Sequence, residues 1–153
     1  LIRHYKNKAT MDWRGACMWG LASGIGFDVC EGIIYSSDFY NGVLGPDIYV
    51  IRFVSCVALH AIWSATVGIS LCRKQLCFQS AELSDMILPI GIILAVPMVL
   101  HGAYDTLLKR DAPEIAVVIA LVSFGWLAVQ IELARQADRE QQTAAVATAG
   151  VTV

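Results

Sequence analysis

Four apolar stretches, at about residues 13–35, 48–71, 85–108 and 114–133, dominate this chain, and each is long enough to cross a bilayer. A transmembrane helix needs about 20 apolar residues because the hydrocarbon core is about 30 Å thick. With no water there to bond the backbone, only helices and closed barrels are viable, and runs of this length suit helices. Charged residues make up 16% of the chain, against about 25% in a soluble domain, and they gather between the apolar blocks. The expectation is an all-α, polytopic bundle of about four transmembrane helices. No basic stripe is present, so nucleic acid is not an expected partner.

The organisation follows from these blocks. Residues 1–12 form a basic segment, 13–133 the membrane domain, and 134–153 a polar tail read as a helical end fraying into disorder. Residues 1–8 lack the apolar core of a signal peptide, and the chain starts with Leu1, so its true N-terminus is expected upstream. The first block is rich in small residues (Gly15, Ala16, Gly20, Ala22, Ser23, Gly24, Gly26). Small residues let membrane helices approach closely, so this helix is expected at the centre of the bundle. Asp38, Asn41, Gly42, Gly45 and Pro46 mark a loop, and Pro89 and Pro97 are expected to kink the third helix. Eight of the eleven Lys and Arg residues fall on the side of the leading segment, the second loop and the tail. Basic loops stay inside, so both ends are expected in the cytoplasm. Cys17, Cys30 and Cys56 lie in apolar stretches as small hydrophobes. Cys72 and Cys77 flank Arg73 and Lys74 in a reducing compartment that disfavours a disulfide.

Ionisable residues at membrane depth carry the functional signal. A charge at a helix centre costs about 2.5–3.5 kcal/mol on insertion scales, so each such residue is a candidate site. Phe27 and Glu31 lie one turn apart on one face of the first helix, as do His101 and Asp105 on the third. A buried carboxylate can serve as a general base toward water, and a carboxylate beside an imidazole can fix its tautomer. His60 lies mid-span in the second helix and calls for a polar partner, with Glu31 or His101 the candidates. Asp28 either shares that cavity or pairs with Arg52. Ser64, one turn after His60, lacks the motif of a serine nucleophile. Glu31, His60, His101 and Asp105 are acceptable zinc ligands, but no HExxH accompanies them, so no metal is assigned and zinc is left open.

Gly24-Ile25-Gly26-Phe27-x-x-x-Glu31-x-x-x-Tyr35, then Arg52 upstream of His60-Ala61-Ile62-Trp63-Ser64, then His101-Gly102-x-x-Asp105, resembles the PrsW family of intramembrane proteases. That family is related to the CAAX-processing and bacteriocin-processing (CPBP) enzymes, and its pattern is EExxK, FxxxE and HxxxD on successive helices. FxxxE falls on Phe27 and Glu31, HxxxD on His101 and Asp105, and the family's further histidine helix on the segment of His60. The resemblance spans about residues 13–108. EExxK is absent from the chain; the family places it just before a basic segment like residues 1–8, so it is expected upstream of Leu1 or is lost.

The resemblance implies a glutamic-type endopeptidase that cuts a membrane-anchored protein in a bacterial or archaeal plasma membrane; no cofactor is assigned, with zinc left open. The family's namesake cuts an anti-sigma factor on the outer side, the first step of regulated proteolysis. Catalysis is expected of Glu31, His60, His101 and Asp105, with Phe27, Asp28 and Arg52 supporting them. Two other readings compete. One is an inactive homologue acting as a membrane scaffold or substrate-binding protein; the other is a small proton-coupled carrier, which would show inverted repeats that this sequence lacks.

Overall fold

A computed structural model describes residues 11–38, 46–74, 83–110 and 112–149. Four helices account for the regular structure, and no strand occurs among the described residues: α1 (Trp13–Asp38), α2 (Pro46–Arg73), α3 (Leu83–Lys109) and α4 (Pro113–Ala149). The Asn41–Gly45 turn residues, Cys77 and residues 1–10 of the leading basic segment lie outside the described residues. Pro46 and Pro113 each occupy a helix start, where the missing N–H has no intrahelical acceptor to lose. Helix α3 runs continuously through Pro89 and Pro97, which a membrane helix tolerates when neighbours take up the freed carbonyls.

Ser55–Arg73 of α2, Met86–Lys109 of α3 and Pro113–Ala147 of α4 are long and apolar enough to cross a membrane. Helix α1 is the exception among the four expected spans, because Asp28, Glu31 and its glycines and serines dilute its apolar content. Large apolar side chains are nonetheless exposed along α1, α3 and α4, among them Trp19, Ile33, Leu88, Met98, Val99 and Leu121. In lipid such a surface carries no penalty, and it marks the outside of the bundle. The protein is an integral membrane protein.

The central position belongs to α2, not to α1 as the small residues suggested. Helices α1, α3 and α4 all pack against α2, and α3 also packs against α4. The glycines of α1 serve that packing at one interface. A Cβ on Gly20 would lie 2.6 Å from Ala65 Cα, one on Gly24 would lie 2.7 Å from Ala61 Cα, and one on Gly68 would strike the Ala16 carbonyl. The α1 and α2 backbones therefore touch directly along two turns.

Helix α4 differs from expectation at its far end. It continues as helix through the segment read as a fraying tail, to Ala149. Ala, Gln, Glu and Arg are strong helix formers, and Glu132 lies near both Arg135 and Arg139. Trp13 Nε1 of α1 also donates to Asp138 Oδ2 at 2.7 Å, which ties this extension to the rest of the molecule. Nearby, Ser70 of α2 donates to Gln130 of α4 at 3.0 Å, a buried polar pair matched across helices.

Candidate active site

The backbone contact at Gly24 sets the geometry of the polar cluster. It holds α1 against the main chain of His60, and one turn further along α1 come Asp28 and Glu31. His60 is buried between them. Its Nδ1 lies 2.6 Å from Asp28 Oδ1, and its Nε2 lies 3.2 Å from Glu31 Oε2. An ionised carboxylate can only accept, so with Asp28 ionised Nδ1 carries the hydrogen, and a neutral His60 then presents a lone pair at Nε2. Asp28 thus proves to be the tightest partner of His60, one the sequence ranked behind Glu31. The side chain of Arg52, the other partner suggested for Asp28, lies outside the described residues.

Helix α3 brings the second imidazole. The His101 and His60 rings are 4.6 Å apart at 89°. Asp105 Oδ2 lies 3.1 Å from His101 Nε2, one turn along the same helix. Each histidine therefore has an aspartate at one nitrogen, and the other nitrogen of His60 faces Glu31. Phe27 closes one side, with its ring 5.3 Å from His60. The sequence-derived residues Phe27, Asp28, Glu31, His60, His101 and Asp105 thus converge at the junction of α1, α2 and α3.

Two atoms of the cluster are conspicuous. Glu31 Oε2 and His60 Nε2 are buried and make no hydrogen bond within the described residues, although they face each other at 3.2 Å. The contact is within ion-pair range but off a hydrogen-bonding line, and two acceptors facing each other call for a proton, a water or a cation. Leaving a buried polar atom unpaired costs about 1–3 kcal/mol. One donor atom each from Glu31, His60 and His101 lies within 4.8 Å of the other two. Zinc bonds nitrogen and oxygen at about 2.0–2.2 Å, which sets two ligands about 3.4 Å apart. The Glu31–His60 spacing is close to that value, and a carboxylate behind each metal-binding imidazole is the usual outer arrangement. The residues fit a divalent metal.

The profile of the PrsW family intramembrane metalloproteases matches residues 4–150. The chain belongs to this family. No curated protein and no solved structure gives a significant match. PrsW family membership carries the general reaction, intramembrane proteolysis, and implies a membrane protein as substrate. It also differs from expectation in one respect: the family is described by a metal, where the resemblance implied glutamic-type chemistry and zinc was left open. Among the described residues, the Glu31–His60–His101 trio is a donor set that could hold such a metal.

The sequence reading missed two neighbours of the trio. Trp63 stacks on His101 with centroids 5.0 Å apart at 28°, and Ser123 of α4 receives the Trp63 indole hydrogen at 3.0 Å. Spacing alone could have found Trp63, which lies three residues after His60 and so on its face. Ser123 gave no signal beyond a hydroxyl inside an apolar run.

Asp28→Asn tests the first of the two carboxylates. The amide still fits, but it no longer enforces hydrogen on Nδ1 of His60. Loss of an outer partner of this kind typically weakens metal binding by about 10–100-fold. Titration of the purified protein with zinc is expected to show a loss of that size, and unchanged affinity would count against the tautomer argument.

Proposed function

We propose that this chain is an active intramembrane endopeptidase whose water-activating centre is formed by Glu31, His60 and His101. The observation that carries the reading is the pair of buried acceptors, Glu31 Oε2 and His60 Nε2, facing each other beside a second imidazole. Hydrolysis of a peptide bond needs a base for water and a donor for the departing nitrogen. Both needs are met at one point by groups from three helices.

Glu31, His60 and His101 would hold the metal, and when bound it supplies Lewis acidity that acidifies water and polarises the scissile carbonyl. The remaining work belongs to the protein. Asp28 and Asp105 hold the imidazoles in one tautomer and one orientation. Glu31 is partly exposed, so its Oε1 is the atom available to take the proton as water adds to the carbonyl carbon. That proton then passes to the amide nitrogen as the C–N bond breaks. The apolar wall of Phe27 limits bulk water around the reacting groups.

The substrate in this reading is a single-span membrane-anchored protein of the anti-sigma-factor kind, cut on the outer side as the first step of regulated proteolysis. The resemblance in the sequence and the distribution of basic residues support it, with both chain ends in the cytoplasm of a bacterial or archaeal cell. A second reading keeps the fold and the membrane partner without the cleavage. In that reading the chain is an inactive homologue that binds membrane segments.

Reconstitution in liposomes with a mixture of single-span membrane proteins separates the two. New termini in or beside the membrane segments, read by mass spectrometry, are expected with the wild type and not with His101→Ala. Identical termini from His101→Ala would remove His101 from the mechanism. A folded wild type that cuts nothing would favour the inactive homologue.

A further inference from the structure

Helix α4 reaches the catalytic cluster through one indole. Trp63 is 4% exposed and stands against three rings: it stacks on His101, and it meets His60 edge-on at 5.6 Å and Tyr104 at 6.4 Å. An indole in such a place can rotate about two side-chain bonds unless its polar corner is held. Ser123 holds it. This serine is 0% exposed, accepts from Trp63 Nε1 at 3.0 Å, and donates its own hydrogen to the Ile119 carbonyl at 2.8 Å. The hydroxyl therefore has a defined direction, and its lone pair is fixed for the indole.

The consequence falls on His101. Asp105 lies 3.1 Å from one edge of that ring, but a single contact leaves the ring free to pivot about it. The stacked indole face supplies the missing constraint. We propose that Trp63 is a positioning residue for His101, and that Ser123 on α4 locks it in place. The proposal rests on the reading of Glu31, His60 and His101 as one centre, and adds to that reading how α4 governs it.

Cobalt(II) is a suitable probe, because its visible absorption reports both affinity and ligand arrangement. The test uses the purified full chain as wild type, Glu31→Gln, Trp63→Phe, Ser123→Ala and the double variant Trp63→Phe/Ser123→Ala. Ser123→Ala strands a buried indole N–H, so its thermal midpoint without metal is expected to fall. In the double variant no N–H is stranded and the midpoint is expected to recover. The positioning role predicts that cobalt affinity does not recover with it. Trp63→Phe, Ser123→Ala and the double variant should each bind about tenfold more weakly than wild type, the low end for loss of a supporting residue, with a shifted absorption band.

A merely structural role predicts instead that affinity follows the midpoint and returns in the double variant, and that result overturns the proposal. Should the Trp63 variants not fold, Ser123→Ala alone decides: wild-type affinity and band position overturn the proposal. A wild type that takes up no cobalt, or a Glu31→Gln protein that binds as tightly, overturns the centre itself. Tight wild type, weak Glu31→Gln and tight Trp63→Phe and Ser123→Ala overturn the positioning role alone.

Discussion

Glu31→Gln is expected to lower the cleavage rate by at least about 10²-fold, because it removes a metal donor together with a positioned general base that is usually worth about 10²–10⁴-fold, while the protein becomes no less stable. The two effects share one cause. In the native chain Glu31 Oε2 and His60 Nε2 face each other as acceptors, 3.2 Å apart and without a hydrogen bond. A glutamine of the same shape can turn its NH₂ toward His60 Nε2 and donate. The frustrated pair becomes a hydrogen bond worth about 0.5–1.5 kcal/mol, but the proton acceptor is gone. Stability gained with activity lost is the usual mark of a group kept for chemistry. Initial rates on a reconstituted substrate, with thermal unfolding in the same detergent, check both halves. A clear fall in stability would mean that Glu31 is held by partners like any structural carboxylate.

Gly24→Ala is expected to disable the protein by a different route. The new Cβ would meet the His60 carbonyl and lie 2.7 Å from Ala61 Cα. Neither atom can swing aside as a side chain can, so α1 must move off α2 as a body. Overpacking of this kind costs about 1–3 kcal/mol or more. The displacement carries Asp28 and Glu31 away from His60, and a misplacement of about 1 Å can cost about a hundredfold in rate. Gly26→Ala is the control, two residues along the same helix. A Cβ there meets nothing within 4 Å, and alanine's better helix propensity favours it by up to about 1 kcal/mol. Equal behaviour of the two variants in unfolding and cleavage would show that the close backbone contact does not set the site.

The helices were legible because apolar runs of bilayer length leave little choice of structure. The end of α4 was not. Residues beyond Leu133 are polar enough to suggest a tail, yet Glu132 lies near Arg135 and Arg139, and the Trp13–Asp138 bond spans 125 residues of sequence. No local reading sees that last contact. The central role of α2 was hidden for a related reason: glycines show that α1 comes close to something, but not to what.

Within the site, Glu31, His60 and His101 were visible from the cost of ionisable groups in lipid. Asp28 looked secondary because two acids three residues apart share a face, and only the position of α2 decides which is nearer His60. Trp63 looked like any aromatic residue in a membrane helix. Its role depends on α3 and α4, which are distant in the chain.

The Gly20–Gly24 contact bears on how the bundle finds its register. Between apolar helices in lipid, one sliding position is nearly as good as the next, since the surrounding chains are as apolar as leucine. The close-packed glycines are four residues apart, so a slip of α1 by one turn would seat Gly20 in the place of Gly24. The slip would also carry Asp28 and Glu31 about 5.4 Å along α2 and leave the His60 ring among apolar side chains. Each polar group stranded in this way costs about 1–3 kcal/mol, more than neighbouring methyl groups could distinguish. The glycines allow the approach, and the ionisable groups select one docking position among its near-equivalents. A chain stripped of them for the sake of stability would lose the mark by which its first two helices align.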